Sequence, residues 1–163
     1  MTYMMEQRSK KGTFLVYILW ILMGIQAFSG LGGGALMLLD PTGKSLRLPA
    51  IFLMGTPFDD YLVPGLFLVL FLGLLPLLSL MGLAGLPWRS IRVLNIYPYM
   101  HWGWTFALYT GIVLILWMDI QVFYIGYWDN IQTYNALTGV LILILTLLPP
   151  VVEHYRLENR PSR

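Results

Sequence analysis

The sequence has no cysteine and few charged residues. Without cysteine the chain can form neither disulfides nor cysteine-ligated zinc or iron–sulfur centres, and thiol redox catalysis is excluded. Charged residues make up 11% of its 163 residues and apolar residues 58%, against about 25% and about 45–50% in soluble domains. This composition excludes a soluble globular domain and a disordered chain.

An excess of charge of either sign is also missing. Ten Lys and Arg face eight Asp and Glu, which gives a net charge of +2 and no polybasic patch. No nucleic-acid partner is therefore expected. The length predicts one integral domain over residues 1–163.

Four long stretches contain no charged residue at all. They are Gly12–Leu39, Tyr61–Trp88, Val93–Met118 and Asn130–Val152. Each exceeds the roughly 20 apolar residues that a helix needs to cross a bilayer, and the run Leu66–Leu75 lacks the alternation of a barrel strand. We predict an all-α membrane protein, a bundle of four transmembrane helices at residues 13–38, 62–84, 101–122 and 131–151.

The basic residues are divided unevenly between the two sides of the predicted bundle. The termini and the second loop hold Arg8, Lys10, Lys11, Arg89, Arg92, Arg156, Arg160 and Arg163, whereas the other side holds Lys44 and Arg47. Positive charge marks the cytoplasmic side, so both termini are predicted to be cytoplasmic. The small residues Ala27 and Ser29 also fit a signal-peptide cleavage site, but the apolar stretch continues past them, which favours an uncleaved helix.

The connections carry recognisable turn and cap signals. Asp40–Gly43 has the composition of a type I turn, and Asp129–Gln132 that of a capping box. The loop between the first and second predicted helices is long. Its segment Ser45–Gly55 is too short to cross the membrane as a helix and too apolar to lie in free solution. It is therefore predicted to be interfacial or re-entrant. Pro76 predicts a kink in the second helix, and Pro149 with Pro150 predicts the end of the fourth.

Aromatic and small residues indicate what surrounds each helix. Ten Trp and Tyr lie near the predicted helix ends, where interfacial belts form: Trp88, Tyr97, Tyr99, Trp102 and Trp104 inside, and Trp117, Tyr124, Tyr127, Trp128 and Tyr134 outside. Gly103 and Gly111 share a small-residue face of the third helix. Spaced small pairs, Gly30 with Gly34 and Ser29 with Gly33, occur in the first. Such faces are typical of close helix–helix contacts.

Candidates for chemistry are few. His101 and His154 fall at similar depth on the cytoplasmic side, but two ligands at unrelated spacing are only weak candidates for a metal site. No catalytic constellation is recognisable, and no cofactor is predicted.

Uncharged and charged polar residues gather in the outer half of the predicted bundle. They are Gln26, Lys44, Arg47, Asp119, Gln121, Asn135 and Thr138. They could hydrogen-bond to one another as interhelical contacts. Alternatively they line an outward-facing pocket beneath the loop Ser45–Gly55, in which Lys44 or Arg47 pairs with Asp119 or with a ligand headgroup. Its apolar walls would suit an amphipathic, lipid-like ligand.

One region resembles a known group of proteins. Gly34-Ala35, Asp40-Pro41-Thr42-Gly43, Leu48-Pro49 and the run from Thr56 to Leu66 resemble a pattern in small, uncharacterised prokaryotic four-helix membrane proteins, loosely similar in layout to the DoxX-like group. The resemblance covers about residues 24–70. It implies a four-helix bundle in the prokaryotic plasma membrane, and it implies no activity or catalytic residue.

Three functions remain open from the sequence. The first is a non-enzymatic membrane protein that acts through a membrane-protein partner or a bound lipid-like ligand. The second is a small transporter or channel that works as a homo-oligomer, although no ionisable group lies at mid-depth to couple it to protons. The third is a membrane enzyme that acts on a lipid or quinone.

Overall fold

The structure, a computed structural model, describes residues 2–86, 88 and 90–157, and this part of the chain is helical with no β-strand. Four helices are long and apolar enough to cross a bilayer, and we call them the first to fourth spans: Gly12–Leu39, Leu62–Leu83, Trp102–Ile125 and Asn130–Leu147. The predicted all-α class with four membrane-length helices is confirmed, and it indicates a multi-pass membrane protein. Of the basic residues that predict the orientation, Arg89, Arg160 and Arg163 lie outside the described residues.

The spans belong to longer or composite helices. Helix α1 is Thr2–Leu39 and contains the first span. The second span combines α2 (Leu62–Phe67), a π-helical segment (Leu68–Leu74) and α3 (Leu75–Leu83). The third and fourth spans are helices α4 and α5, and helix α6 is Pro149–Tyr155. Short 3-10 turns occupy Lys44–Leu46, Ala50–Leu53 and Ser90–Leu94. We call the end of the bundle that contains α6 the terminal end. We call the opposite end, which contains the loop of residues 40–61, the loop end.

The fourth span ends earlier than the predicted residue 151. Leu148 has a ψ of 133°, outside the helical range, and it precedes Pro149, which opens α6. A residue before proline is driven out of the α region by the proline ring, so a continuous helix to 151 was wrong. The two prolines end the fourth span as predicted, and they also begin a separate helix.

The spans pack as neighbours in chain order, and α6 and the fourth span complete the ring against the first. Glycines allow the closest approaches. A Cβ on Gly103 would meet the backbone of Gly82, and a Cβ on Gly111 would lie 2.7 Å from Leu143 Cγ. These contacts confirm the predicted small-residue face of the third span.

A π-helical segment precedes Pro76, where a kink was predicted. Pro76 has no N–H to give the carbonyl of Leu72, the α-helical acceptor four residues earlier. The helix widens just before it, and the N–H of Leu75 bonds to the carbonyl of Leu70, five residues back. Such wide turns are one of the recognised causes of helix distortion.

The segment after the fourth span docks on the terminal end. Tyr155 lies buried, accepts a hydrogen bond from Trp20 Nε1 at 2.9 Å and donates one to the carbonyl of Leu83 at 3.2 Å. The backbone continues the contact, since the N–H of Leu157 donates to the carbonyl of Tyr99 at 2.9 Å. Three parts of the chain that are distant in sequence are thereby joined.

The loop end is organised by the predicted turn. Gly43 N–H donates to the Asp40 carbonyl at 3.0 Å, which confirms the turn at Asp40–Gly43, and the Asp40 carboxylate accepts from the hydroxyls of Thr42 and Ser45. Farther along, the ring of Phe52 is buried and meets that of Trp128 edge-on at 4.8 Å. This contact attaches the apolar segment Ser45–Gly55 to the connection between the third and fourth spans.

Candidate functional site

Gln26 is a buried polar residue near the middle of the first span. Only 3% of its surface is exposed, and no described residue forms a hydrogen bond with its side-chain amide. The sealed polar atoms without a partner in the described chain are Trp102 Nε1 and Trp117 Nε1, and the Gln26 amide is not among them. Its small remaining accessibility therefore reaches the amide.

Helix contacts fix the depth of Gln26. A Cβ on Gly30 would overlap the carbonyl of Leu72, and a Cβ on Gly34 would lie 2.8 Å from the N atom of Val69. The two helices run antiparallel, so the same register places Gln26, one turn before Gly30, level with Pro76. The unpaired amide thus lies at the depth where the second span changes from π- to α-helix.

The first span contributes side chains to the larger apolar cluster in its terminal half. Val16, Leu19 and Met23 belong to the core cluster that contains Ile142 and Leu145 of the fourth span. The core cluster of the loop-end half consists of Leu72, Leu114, Trp117 and Met118, with Phe67, Leu68, Val113 and Ala136 packed against it. All of these residues come from the second, third and fourth spans. The first span meets this half through the backbones at Gly30 and Gly34 and through the side chains of Leu31, against Gly73, and Met37, against Gly65.

Small and polar residues follow Gln26 along one face of the first span. Ser29 and Gly33 follow Gln26 at helical spacing, and Ser29 is exposed. On the fourth span, Thr138 and Asn135 lie four and seven residues before the buried Ile142, on the same face and one to two turns nearer the loop end. We call Gln26, Ser29, Gly33, Asn135 and Thr138 the seam site.

The polar groups of the fourth span at the seam site keep unused hydrogen-bonding capacity. Asn135 Nδ2 donates to the carbonyl of Ile131 at 2.9 Å, and Thr138 Oγ1 donates to that of Tyr134 at 2.7 Å. Each bond uses one donor, which leaves the Asn135 carbonyl, its second N–H and the Thr138 lone pairs. These two side chains therefore offer several uncharged donors and acceptors.

The predicted site residues differ in burial. Gln26 is buried, Asn135 and Thr138 are half-buried, and Lys44, Arg47 and Asp119 are exposed. Their grouping into one pocket stays a prediction. Because Gly82 faces Gly103, Gln26 is level with about Leu108, which puts Gln121 about 20 Å nearer the loop end. The pairing of Lys44 or Arg47 with Asp119 stays a prediction.

Ser29 was not among the predicted site residues. It was interpreted as a packing residue because of its spacing from Gly33. Its position three residues after Gln26 on one helical face was the signal that could have placed it at the site.

Three tryptophans predicted for the interfacial belts are core residues instead. Trp102, Trp104 and Trp117 are all buried. Trp104 Nε1 donates to the carbonyl of Thr146 at 2.7 Å, and the Trp117 ring stacks on Phe67 with centroids 4.1 Å apart. The belt prediction failed for them because these indoles point toward neighbouring spans rather than toward the membrane surface.

The two histidines have separate roles in the structure. His101 Nδ1 accepts from the N–H of Gly103 at 3.3 Å and so caps the third span. His154 is exposed on α6, and its ring meets that of Tyr155. Within the described residues no group of three or more His, Asp or Glu is placed to hold a metal.

Two groups at the loop end, outside the spans, have shifted pKa values. Hydrogen bonds from the Thr42 hydroxyl and from Ser45 lower the pKa of Asp40 to about 2. Burial raises the pKa of Tyr61, whose hydroxyl donates to the carbonyl of Pro49 at 2.8 Å. Asp40 therefore stays ionised and holds the loop at all but strongly acidic pH.

The fold is that of a four-span helical membrane protein, and Gln26 is a buried amide without a hydrogen-bond partner among the described residues. No family model, curated protein or solved structure matches the chain. The resemblance to prokaryotic four-helix membrane proteins stays a prediction.

Proposed function

We propose that the protein is a non-enzymatic, multi-pass protein of the prokaryotic plasma membrane that binds a lipid-like ligand at the seam site. Both termini are cytoplasmic in this proposal, so the seam site lies in the half of the bilayer that faces away from the cytoplasm. The excess of Lys and Arg on the side of the termini supports the orientation.

The unpaired, buried amide of Gln26 carries the proposal. A polar group without a hydrogen bond in an apolar interior costs about 1–3 kcal/mol in proteins. Gln26 is 3% exposed, finds no partner among the described residues and lies at mid-span, where lipid tails supply none. A bound molecule with a hydrogen-bonding group would satisfy the amide.

The composition of the surrounding half-bundle supports a ligand with an apolar part. The core cluster of this half contains Leu72 and Leu114, and Leu68 packs against it. An apolar chain in contact with these side chains is favoured by about 25 cal/mol per Å² of buried apolar surface. A molecule with one polar group and an apolar tail matches both features.

Co-purification tests this function. The wild-type protein, Gln26→Leu and the control Gln121→Leu are purified from native membranes in a mild detergent, and retained lipids are identified by mass spectrometry. We expect one lipid-like species, at about one per chain, with wild type and Gln121→Leu but not with Gln26→Leu. Identical lipid profiles for all three proteins, or none with wild type, would contradict the proposal and leave water as the partner of the amide.

A stability measurement checks that Gln26→Leu is folded, so that a loss of lipid cannot be caused by misfolding. Adding back the extracted lipid should raise the unfolding temperature of wild type and Gln121→Leu, because a ligand that binds only the folded state stabilises it. Gln26→Leu should unfold cooperatively and respond little. An equal rise in all three proteins would argue against a site at Gln26.

A further inference from the structure

We propose that the connection between the second and third spans contains an interfacial anchor, whose exposed apolar residues insert into the phospholipid leaflet at the terminal end. The anchor is residues 90–97, which comprise the 3-10 turn Ser90–Leu94 and the three residues after it. The inference goes beyond the proposed function, since it concerns another part of the molecule and does not depend on a ligand at Gln26.

The second and third spans meet the terminal end at the same level. Gly82 is the last residue but one of the second span, and Gly103 is the second residue of the third. A Cβ on Gly103 would overlap the backbone of Gly82, so the two helix ends lie side by side. A connection between helix ends at one level can lie wholly beyond both helices.

The anchor instead lies beside the beginning of the third span. Thr105 Oγ1 donates to Asn95 Oδ1, and the Tyr109 hydroxyl donates to the carbonyl of Leu94 at 3.1 Å. Thr105 is three residues inside the third span, or about 4.5 Å along its axis. Residues 94 and 95 are therefore level with the first two turns of this helix and not beyond its end.

The length of the third span places this level at the boundary of the hydrocarbon. Its 24 residues form a helix. Such a helix is about 36 Å long, against a hydrocarbon core of about 30 Å, so when centred it extends about 3 Å beyond the core at each end. The first turn of the third span therefore crosses this boundary, and the anchor beside it lies where headgroups meet acyl chains.

The apolar side chains of the anchor are not covered by the protein. Val93 is 87% exposed, Leu94 64% and Ile96 67%. Neighbouring apolar side chains that remain exposed mark contacts with a membrane or with another protein. Their depth beside the third span favours the membrane.

Hydrogen bonds from side chains suit the irregular backbone of the anchor to this environment. Asn95 Nδ2 donates to the carbonyl of Met100 at 2.9 Å, and its Oδ1 accepts from the N–H of Tyr97 at 3.2 Å. With the bond from Tyr109 to Leu94, they pair backbone groups that lie outside any membrane-length helix. Irregular backbone needs such partners near the hydrocarbon, where water is scarce. The bonds to Thr105 and Tyr109 also join the depth of the anchor to that of the third span.

The charge near the anchor favours a phospholipid surface. Residues 84–101 contain two arginines and no acidic residue. Arg156, which is exposed, belongs to the segment that pairs with Met100, while the exposed Glu153 on α6 carries the opposite charge. Arginine beside apolar side chains is typical of segments that lie in the interface of a membrane with anionic lipids.

Depth-dependent quenching tests the insertion, and the absence of native cysteine allows single labels. Ile96→Cys and the control Glu153→Cys, at an exposed charged position of α6, each carry an environment-sensitive fluorophore. The full-length proteins are reconstituted in vesicles of phosphatidylcholine and phosphatidylglycerol. Lipids brominated near the headgroup end of the acyl chain should quench the probe at 96 about twofold or more beyond that at 153, because interfacial segments penetrate about 5–10 Å. Lipids brominated near the methyl end should quench the probe at 96 less.

Two results would overturn the inference. Equally weak quenching at both positions would show that the anchor lies in water. Blue-shifted emission at 96 without quenching by either lipid would show that a protein surface, such as a second copy of the chain, covers it. With the anchor at the headgroup level, a water-soluble maleimide should still reach Val93→Cys, but more slowly than Glu153→Cys.

A second variant tests whether the hydrogen bonds fix the depth of the anchor. Asn95→Ala removes the partner of Thr105 and Met100 and should lower the quenching at 96, whereas the control Asn130→Ala, whose side chain accepts from Tyr127 at the loop end, should not. Thermal unfolding identifies the folded samples. Undiminished quenching in folded Asn95→Ala protein would contradict this role. None of these measurements involves a lipid retained at Gln26, so this inference and the proposed function fail independently.

Discussion

The indole Nε1 of Trp20 donates a hydrogen bond of 2.9 Å to the hydroxyl of Tyr155, which joins the first span to α6 across 135 residues of sequence. The same hydroxyl donates to the carbonyl of Leu83 at the end of the second span. One side chain thus connects three helices at the terminal end, where the first span also packs its apolar residues.

Tyr155→Phe should therefore destabilise the bundle by about 1–3 kcal/mol, because it leaves a donor and an acceptor without their partner while the ring still packs. Thermal unfolding in detergent measures the loss. Tyr134→Phe, on a side chain that is 67% exposed, is the control and should unfold like wild type. Equal unfolding temperatures for both variants would show that the hydroxyl of Tyr155 adds nothing to stability.

Gly30→Ala should lower stability by about 1–3 kcal/mol, because its methyl group would overlap the backbone carbonyl of Leu72, which cannot rotate away. Gly32→Ala is a matched control two residues away on the same helix, with open space at its Cβ. It should be neutral or stabilising by up to about 1 kcal/mol, since alanine favours helix over glycine. Chemical denaturation compares the two, and a smaller loss for Gly30→Ala than for Gly32→Ala would exclude this contact.

The local signals in the sequence were sufficient for the spans, the turn at Asp40 and the capping box at Asp129, because charge-free length and cap chemistry act over a few residues. The π-helical segment was not predictable, since it depends on Pro76 together with the position of Leu72 against Gly30. The unpaired state of Gln26 was not predictable either, because interhelical partners depend on the rotation of each helix.

Gly111→Leu should destabilise the contact of the third and fourth spans by about 1–3 kcal/mol or more, because added side-chain volume would meet Leu143 and the carbonyl of Gly139. The control Ile112→Leu changes an exposed neighbour of similar volume. Thermal unfolding in detergent distinguishes them. Unchanged stability of Gly111→Leu would show that this face meets lipid.

Asp40→Asn should flatten the acid dependence of stability. The pKa of Asp40 is lowered from 3.8 to about 2, so its stabilising effect is complete above pH 3.8 and is lost as the pH falls through about 2. Unfolding temperatures measured between pH 5 and pH 2 should fall more steeply for wild type than for Asp40→Asn. Asp59→Asn, in the same loop and exposed, should follow wild type. Parallel curves for wild type and Asp40→Asn would contradict the role of the carboxylate.

Single cysteines test the proposed orientation. With cytoplasmic termini, Ser45→Cys should react with an impermeant maleimide on intact cells, and Val93→Cys, at a residue that is 87% exposed, only after permeabilisation. The chain has no cysteine of its own to give background. Labelling at 93 and not at 45 on intact cells would reverse the orientation.

The docking of α6 also has a consequence for biosynthesis. Tyr155 and Leu157 are translated after all four spans, yet they supply the contacts that fasten the first span to the second and to the segment before the third. The glycine contacts among the four spans can form before α6 has been synthesised, whereas the hydrogen bonds of Tyr155 and Leu157 can form only afterwards. The terminal end of the bundle is therefore the last part to be completed during synthesis.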